Sequence, residues 1–239
     1  MKPVKRKKQV ALVLFGGKGE RFGAEKPKQF ELLGEENMFV TTLKAFSACS
    51  SVDAIFVVVE ASTMEECRDL ILKNHIGRVK ATIKGGLSRQ ESARRGLEYL
   101  ADHGVEKDDL VLIADGDRPN VDPDIVSENF IAALELGSAC TAIPVTDSVM
   151  LEDGGQISSY LDRNHVYRAQ TPQTFRFGSI LKAHRKGRKR PFTDDASLYQ
   201  KYIGKVFLVK GSEDNIKITV KEDVDTYLRL KEKKDDSLS

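Results

Sequence analysis

The stretch from Leu12 to Gln29, LVLFGGKGERFGAEKPKQ, constrains the fold of this chain most. It begins inside an apolar run, residues 10–15, with the length and branching of a buried strand. The run ends in Gly16, Gly17 and Gly19, and Lys18, Arg21, Lys26 and Lys28 crowd the positions that follow. Glycines let a backbone come within hydrogen-bonding distance of a bulky ligand, because no side chain intervenes. Successive N–H groups in such a turn form an anion-binding nest, and nearby cations hold phosphate charge. The pattern predicts a phosphate-gripping loop at the end of a first β-strand. It is not a P-loop, since no register supplies GxxxxGK[ST]. Nor is it the dinucleotide fingerprint. Gly17, Gly19 and Gly23 give GxGxxxG, one residue too long, and the acidic end of the next strand, Glu60, lies about forty positions on rather than about twenty.

Beyond the loop, helical and strand patterns alternate. Residues 38–47 have helical apolar spacing at Phe39, Leu43 and Phe46, and 54–59 read as a second strand. Ser62 with Glu65 has capping-box spacing. A short strand, 79–83, runs into Gly85 and Gly86, and Ser88 with Glu91 repeats the capping box before a helix carrying Ala93, Leu97 and Leu100. Residues 110–114 are another buried strand, Pro123 opens the next helix, and 139–145 is a strand again. Such alternation implies a doubly wound, mostly parallel α/β sheet with helices on both faces. Ligands in these folds bind outside the carboxyl ends of the strands, which singles out 16–28, 85–89 and 115–118.

From about 146 to 168 the chain turns polar, and an Asp153-Gly154-Gly155 turn between 148–151 and 156–158 predicts a projecting hairpin arm. Helices near 179–184 and 193–202, a strand at 205–209 and an amphipathic helix at 222–231 complete a single domain, 1–239, with a charged, disordered tail from about 233. The basic run 185–190 reads as a solvated loop, and Thr171-Pro172-Gln173, taken alone, is a loop signal.

Composition narrows the function classes. A net charge of +2 gives no strong field, so nucleic-acid binding is not implied. No apolar run approaches the ~18 residues of a membrane span. Residues 2–8 are basic but precede only a short strand, so they read as a solvated tail rather than a signal peptide. Cys49, Cys67 and Cys140 are odd in number and lack any CxxC, so the default is a reducing cytoplasm without disulfides or zinc. Asp115 directly follows an apolar strand. A carboxylate there points into the ligand crevice, where Mg²⁺ favours one or two carboxylates plus substrate phosphates; a structural or capping Asp is the alternative. The segment 211–217 also follows a strand and offers Asp214 and Lys217.

Eight motifs in order resemble a known family: GGKGERFG with PKQ, GG with Arg89, Ser92 and GL, Asp115 with Arg118-Pro119, Asp147-Ser148, Leu161-Asp162-Arg163, QTPQTF from Gln170, TDDAS from Thr193 and NIKIT from Asn215. The chain is similar over nearly its whole length to the 2-C-methyl-D-erythritol 4-phosphate cytidylyltransferases. The resemblance implies a Rossmann-like nucleotidyltransferase sheet, CTP and a sugar-alcohol phosphate as substrates, a CDP-alcohol and pyrophosphate as products, Mg²⁺ or another divalent cation, and a homodimer joined through the arm. Arg21 and Lys28 match the catalytic cations, and Asp115 and Asp214 the metal carboxylates. Gly16, Gly17, Gly19, Gly85, Gly86, Ser92 and Lys217 match nucleotide-binding positions, while Arg118, Ser148, Arg163 and Thr171 match acceptor-binding ones.

The chain also departs from the family. Phe15-Gly16-Gly17 replaces a usual Ala-Ala-Gly, and Ala114 and Asp117 replace a His and a small residue around the metal Asp. The Asp117 carboxylate either joins the metal shell or pairs with Arg118. Asp147-Ser148-Val149-Met150 lacks the family's lysine, a feature shared with the sister ribitol 5-phosphate cytidylyltransferases, whereas LDR and RAQTPQTFRF favour the methylerythritol branch. A non-catalytic nucleotide-binding regulator on the same fold would have lost the charged residues that this chain keeps.

Overall fold

The computed structural model describes residues 6–16 and 27–238. The first strand, β1 (Gln9–Phe15), is buried from Val10 onward. A small hairpin, β2 (Leu32–Leu33) with β3 (Glu36–Asn37), leads into α1 (Met38–Ala48), where the Asn37 side chain accepts the Val40 N–H as an N-cap. There follow β4 (Ala54–Val59), α2 (Met64–Lys73), β5 (Val79–Lys84), α3 (Arg89–Asp102), β6 (Leu110–Asp115), α4 (Pro123–Leu136) and β7 (Ser138–Pro144). The second half comprises β8 (Val149–Asp153), β9 (Gln156–Leu161), β10 (Tyr167–Arg176), α5 (Phe177–Lys186), α6 (Asp195–Tyr202), β11 (Leu208–Lys210) and α7 (Glu222–Leu238).

Among the described residues, seven strands form one sheet in the order β11-β7-β10-β6-β1-β4-β5, and only β10 runs antiparallel to its neighbours. Helices cover both faces, so the central strands read as unbroken apolar runs rather than alternating ones. Ala11, Val13 and Phe15 of β1 pack with Phe39, Leu43 and Phe46 of α1 and with Phe130 of α4. Val10, Leu12 and Leu14 point to the other face, where Leu97 and Leu100 of α3 and Ile180 of α5 lie. Gly96 lets α3 approach closely, since a Cβ there would sit 2.7 Å from a Leu12 methyl. Strand order switches direction at β1, with β4 and β5 on one side and β6 on the other. The crevice above β1 and β6 is therefore the topological position for a ligand.

The arm forms as β8 paired with β9, exposed along almost its whole length. Its two-residue turn places both Gly154 (φ +58°) and Gly155 (φ +81°) in the left-handed region, the requirement of a tight hairpin turn.

Four local expectations are corrected. Residues 171–173 are not a loop: they lie inside β10, where the register slips between Ala169 and Gln173. A proline inside a central strand removes a ladder donor. Here side chains take over the bulge's polar groups, with Thr141 Oγ1 donating to the Pro172 carbonyl (2.7 Å) and Asn215 Nδ2 to that of Thr171 (2.9 Å). Ser62 does not cap α2, because it lies in a 3₁₀ turn, Ala61–Thr63, and the helix starts one residue later. The Thr63 hydroxyl instead serves Gln29 and the Glu60 carbonyl. The expected strand at 205–209 is reduced to three residues, Leu208–Lys210. Finally α7 continues to Leu238, past the expected end at 231 and through the start of the expected disordered tail. Tyr227 and Leu228 anchor it against Leu33 and Met38.

Candidate active site

Asp115 is the last residue of β6 and is 9% exposed. Its Oδ1 accepts from Arg89 Nε at 2.7 Å and its Oδ2 from Lys217 Nζ at 2.8 Å. The bulge of β10 steadies the same residue, because the Asp115 N–H donates to Thr171 Oγ1 at 3.0 Å. Burial disfavours the charged form of Asp115, yet the Arg89 guanidinium and Lys217 ammonium hold its carboxyl well below the usual range.

Arg89 opens α3 behind the N-cap Ser88, whose hydroxyl accepts the Glu91 N–H. Its guanidinium bridges two carboxylates, donating through Nη1 to Asp195 Oδ2 at 2.8 Å. Asp195, 1% exposed, also meets His184 Nε2 at 2.9 Å. A buried polar chain thus runs from His184 through Asp195 and Arg89 to Asp115. The segment 211–217 is stitched on from the other side. Arg118 Nη1 donates to the Asn215 carbonyl (2.6 Å), Asn120 Nδ2 to that of Asp214 (2.9 Å), and Gln170 Nε2 to that of Ser212 (2.8 Å). Gly211 permits this approach, as a Cβ there would lie 2.4 Å from Gln170 Oε1. A cleft of about 230 Å³ opens between Asp115, Arg89, Arg118, Gln170, Thr171 and Lys217.

Lys28 sits in a 3₁₀ turn, Lys28–Phe30, and its Nζ donates to Asp117 Oδ2 at 2.6 Å and to the Ile218 carbonyl at 2.7 Å. Asp117 therefore pairs with Lys28, an option that neither sequence alternative contained. Its Oδ1 lies 3.7 Å from Lys217 Nζ and is buried without a hydrogen-bond partner among the described residues.

Gly16, Gly85, Gly86 and Ser92 come together at the ends of β1 and β5. A Cβ on Gly16 would stand 3.0 Å from Ser92 Oγ, and one on Gly85 2.9 Å from it. The buried Ser92 hydroxyl accepts the Gly86 N–H at 3.0 Å and so shapes the turn. Gly17, Gly19 and Arg21 lie outside the described residues.

Ser148 and Arg163 are exposed on the arm and do not line the Asp115 cleft; Arg163 Nη1 donates to the Thr146 carbonyl at 2.9 Å. Asp214 is half-buried and likewise does not line that cleft. No cluster of three or more His, Cys, Asp or Glu side chains suited to a metal occurs among the described residues. All three cysteines are buried and unpaired, and burial pushes their thiols up to about 11 or 12, which makes them poor nucleophiles.

Sequence reasoning missed Arg89, Asp195 and His184 as a unit. Two signals were available. An arginine in the first turn of a helix opposes the helix dipole and needs an acidic partner. Of the adjacent Asp194 and Asp195, only Asp194 caps α6, through the Ser197 N–H, which leaves the second carboxylate for another task.

A sequence model of the family described as "IspD: 2-C-methyl-D-erythritol 4-phosphate cytidylyltransferase" matches residues 9–228. The chain is 36% identical over 216 residues to the 2-C-methyl-D-erythritol 4-phosphate cytidylyltransferase of Syntrophotalea carbinolica, covering 89% of this chain and 91% of that protein. It is 39% identical over 228 residues to the enzyme of the same name from Syntrophus aciditrophicus, covering 94% of each. The crystal structure of 2-C-methyl-D-erythritol 4-phosphate cytidylyltransferase from Thermus thermophilus superposes with a TM-score of 0.74 at 26% identity, over 92% of this chain and 98% of that one. With the switch-point crevice and its charged cleft in the same place as the matched motifs, the chain belongs to the 2-C-methyl-D-erythritol 4-phosphate cytidylyltransferase family.

Proposed function

We propose that this chain transfers the cytidylyl group of CTP to 2-C-methyl-D-erythritol 4-phosphate, giving a CDP-alcohol and pyrophosphate for isoprenoid precursor synthesis. The observation that carries the reading is Asp115 at the end of β6, held between Arg89 and Lys217, with Lys28 paired to Asp117 two residues on. An acceptor phosphate oxygen attacks the α-phosphorus of CTP in line as the bond to pyrophosphate breaks, so the protein chiefly positions groups and neutralises charge. Lys28, together with Arg21, stabilises charge on the α-phosphoryl oxygens and the departing pyrophosphate. Gly16, Gly85 and Gly86, shaped by Ser92, form the close-approach surface for cytosine. Gly17 and Gly19 extend the phosphate nest. Lys217, Arg118 and Thr171 lie around the cleft where the triphosphate and the acceptor meet.

The donor set fits a divalent cation such as Mg²⁺, which takes one or two carboxylates with substrate phosphates. Asp115 would hold it, and the orphaned Asp117 Oδ1 is a second acceptor that a cation would satisfy; Asp214 remains a candidate through its loop. When bound, the ion would neutralise phosphate charge.

The arm supports a homodimer. Met150, Leu151, Ile157, Tyr160 and Leu161 are 40–65% exposed on a two-stranded ribbon, which is marginal alone in water. Packed against a second copy, the arm would carry Ser148 and Arg163 to the partner's acceptor site. Dependence on CTP, with three unpaired cysteines, fits the cytoplasm.

The acceptor is tested by offering CTP with equal amounts of methylerythritol 4-phosphate and ribitol 5-phosphate and weighing the products. The methylerythritol product should dominate. Preference for ribitol, favoured only by Met150 standing where the family has lysine, would move the chain to the sister activity. No transfer to either would leave the non-catalytic regulator.

A further inference from the structure

The run from Arg185 to Arg190 holds five cations in six residues: Arg185, Lys186, Arg188, Lys189 and Arg190. None of the five forms an ion pair among the described residues, and all five are exposed. Arg185 and Lys186 close α5, whereas Arg188, Lys189 and Arg190 fall in the loop behind it, and such like charge on a free loop would repel itself and splay into water. Instead a single side chain pins it. Gln90 Nε2 donates to the carbonyls of Gly187 (3.0 Å) and Arg190 (3.1 Å), and Gln90 Oε1 accepts the Phe192 N–H (3.0 Å). Phe192 packs edge-on against Tyr202, with ring centroids 5.8 Å apart. The basic loop is thereby fixed over the first turn of the 14-residue α3.

Between loop and helix lies a cleft of about 460 Å³, walled by Arg89, Arg94, Arg188, Lys189, Arg190 and Glu91. The one carboxylate is already engaged, since Glu91 accepts from the Leu87 N–H and from the Arg95 guanidinium. Arg94 is matched by Glu98. The uncompensated charge is therefore that of Arg188, Lys189 and Arg190, added to the positive end of α3. Arg89 is a wall of both this cleft and the Asp115 cleft, and its Nη2 is buried without a hydrogen-bond partner among the described residues.

We propose that this cleft is a second anion site, separate from the catalytic one, that takes a diphosphate group. Charge held in a fixed concave frame binds such a group better than a floppy basic tail, because little ordering is left to be done on binding. The volume suits a ligand up to nucleotide size. Free pyrophosphate and a nucleoside diphosphate present the same group, and an occupant would lie against Arg89, next to the catalytic carboxylate.

The test is calorimetric titration of the wild-type chain with pyrophosphate, and separately with CDP and ADP, at low salt. Pyrophosphate should fill two sites per chain. Arg188→Ala/Lys189→Ala/Arg190→Ala should lose one of them, weakening it tenfold or more, while CTP turnover stays within twofold of wild type. Lys28→Ala/Lys217→Ala should keep that same site and lose the other. Gln90→Ala removes the pin without changing any charge, and it too should weaken the second site, with thermal melts confirming that each variant is folded. Tighter binding of both CDP and ADP at that site would name a nucleotide as occupant, and tighter binding of pyrophosphate would name the free anion. One pyrophosphate per wild-type chain, or two retained by the triple variant, would overturn the proposal. An unchanged second site in Gln90→Ala would reduce it to diffuse surface charge and overturn it equally.

Discussion

Replacing Asp195 with asparagine keeps the side chain's size and removes its charge from the buried chain that ends on Asp115. Asp195 is 1% exposed, accepting from Arg89 at 2.8 Å and meeting His184 at 2.9 Å. Removing one partner of a buried ion pair costs about 3–5 kcal/mol, and because Arg89 keeps Asp115 the lower end applies, ~3 kcal/mol. For a chain of this size each kcal/mol moves Tm by about 2–4 °C, so Asp195→Asn should lower Tm by ~6–12 °C near neutral pH. The pH dependence has a defined sign. Burial opposes the charge of Asp195, but Arg89 and His184 hold its pKa below the ordinary 3.8. A carboxylate with a depressed folded pKa contributes stability above the unfolded value and loses it as pH falls through the folded one. The Tm gap between wild type and variant should therefore stay constant down to about pH 5 and narrow below about pH 4. Calorimetric melts across that range are the assay. A neutral-pH shift under ~2 °C, or a gap that does not narrow in acid, would refute the reasoning.

Lys28→Ala should lower kcat by ~10²–10³-fold while CTP binding survives better than turnover, and a near wild-type kcat would remove Lys28 from the chemistry. Gly85→Ala places a Cβ 2.9 Å from Ser92 Oγ and 3.2 Å from the Val59 carbonyl, so KM for CTP should rise. The wild-type site should prefer CTP over ATP by ~10⁴-fold in kcat/KM, because a purine leaves its polar groups unpaired; comparable values would defeat the base assignment. If Arg163 serves the partner's site, co-refolding Lys28→Ala with Arg163→Ala makes about half the dimers mixed, and about a quarter of all sites regain wild-type activity. No recovery in mixed dimers confirmed by mass would return Arg163 to bracing its own arm through the Thr146 carbonyl.

Much of the fold was legible because parallel, two-sided strands declare themselves as unbroken apolar runs. β4 falls at Ala54–Val59, where the pattern predicts it, and the Ser88 cap and Pro123 helix start form as read. The central antiparallel strand β10 was not legible, because Pro172 breaks the strand pattern and its substitute partners, Thr141 and Asn215, are about thirty or more residues away. The site shows the same division. Asp115 could be placed from its position at a strand end. Its pairing with Arg89 and Lys217, 26 and 102 residues distant, depends on tertiary geometry that no local spacing encodes. Asp117 was visible as an anomaly, but its partner Lys28 lies 89 residues away.

The central claim is that the cleft at Asp115 performs direct cytidylyl transfer, and phosphorus NMR of one reaction mixture tests it most directly. With CTP, methylerythritol 4-phosphate and Mg²⁺, the wild-type chain should convert CTP into equal amounts of free pyrophosphate and a CDP-alcohol, and Asp115→Ala should leave CTP unconsumed on the same timescale. Unchanged CTP with the wild-type chain, or pyrophosphate accompanied by CMP in place of the CDP-alcohol, would contradict it.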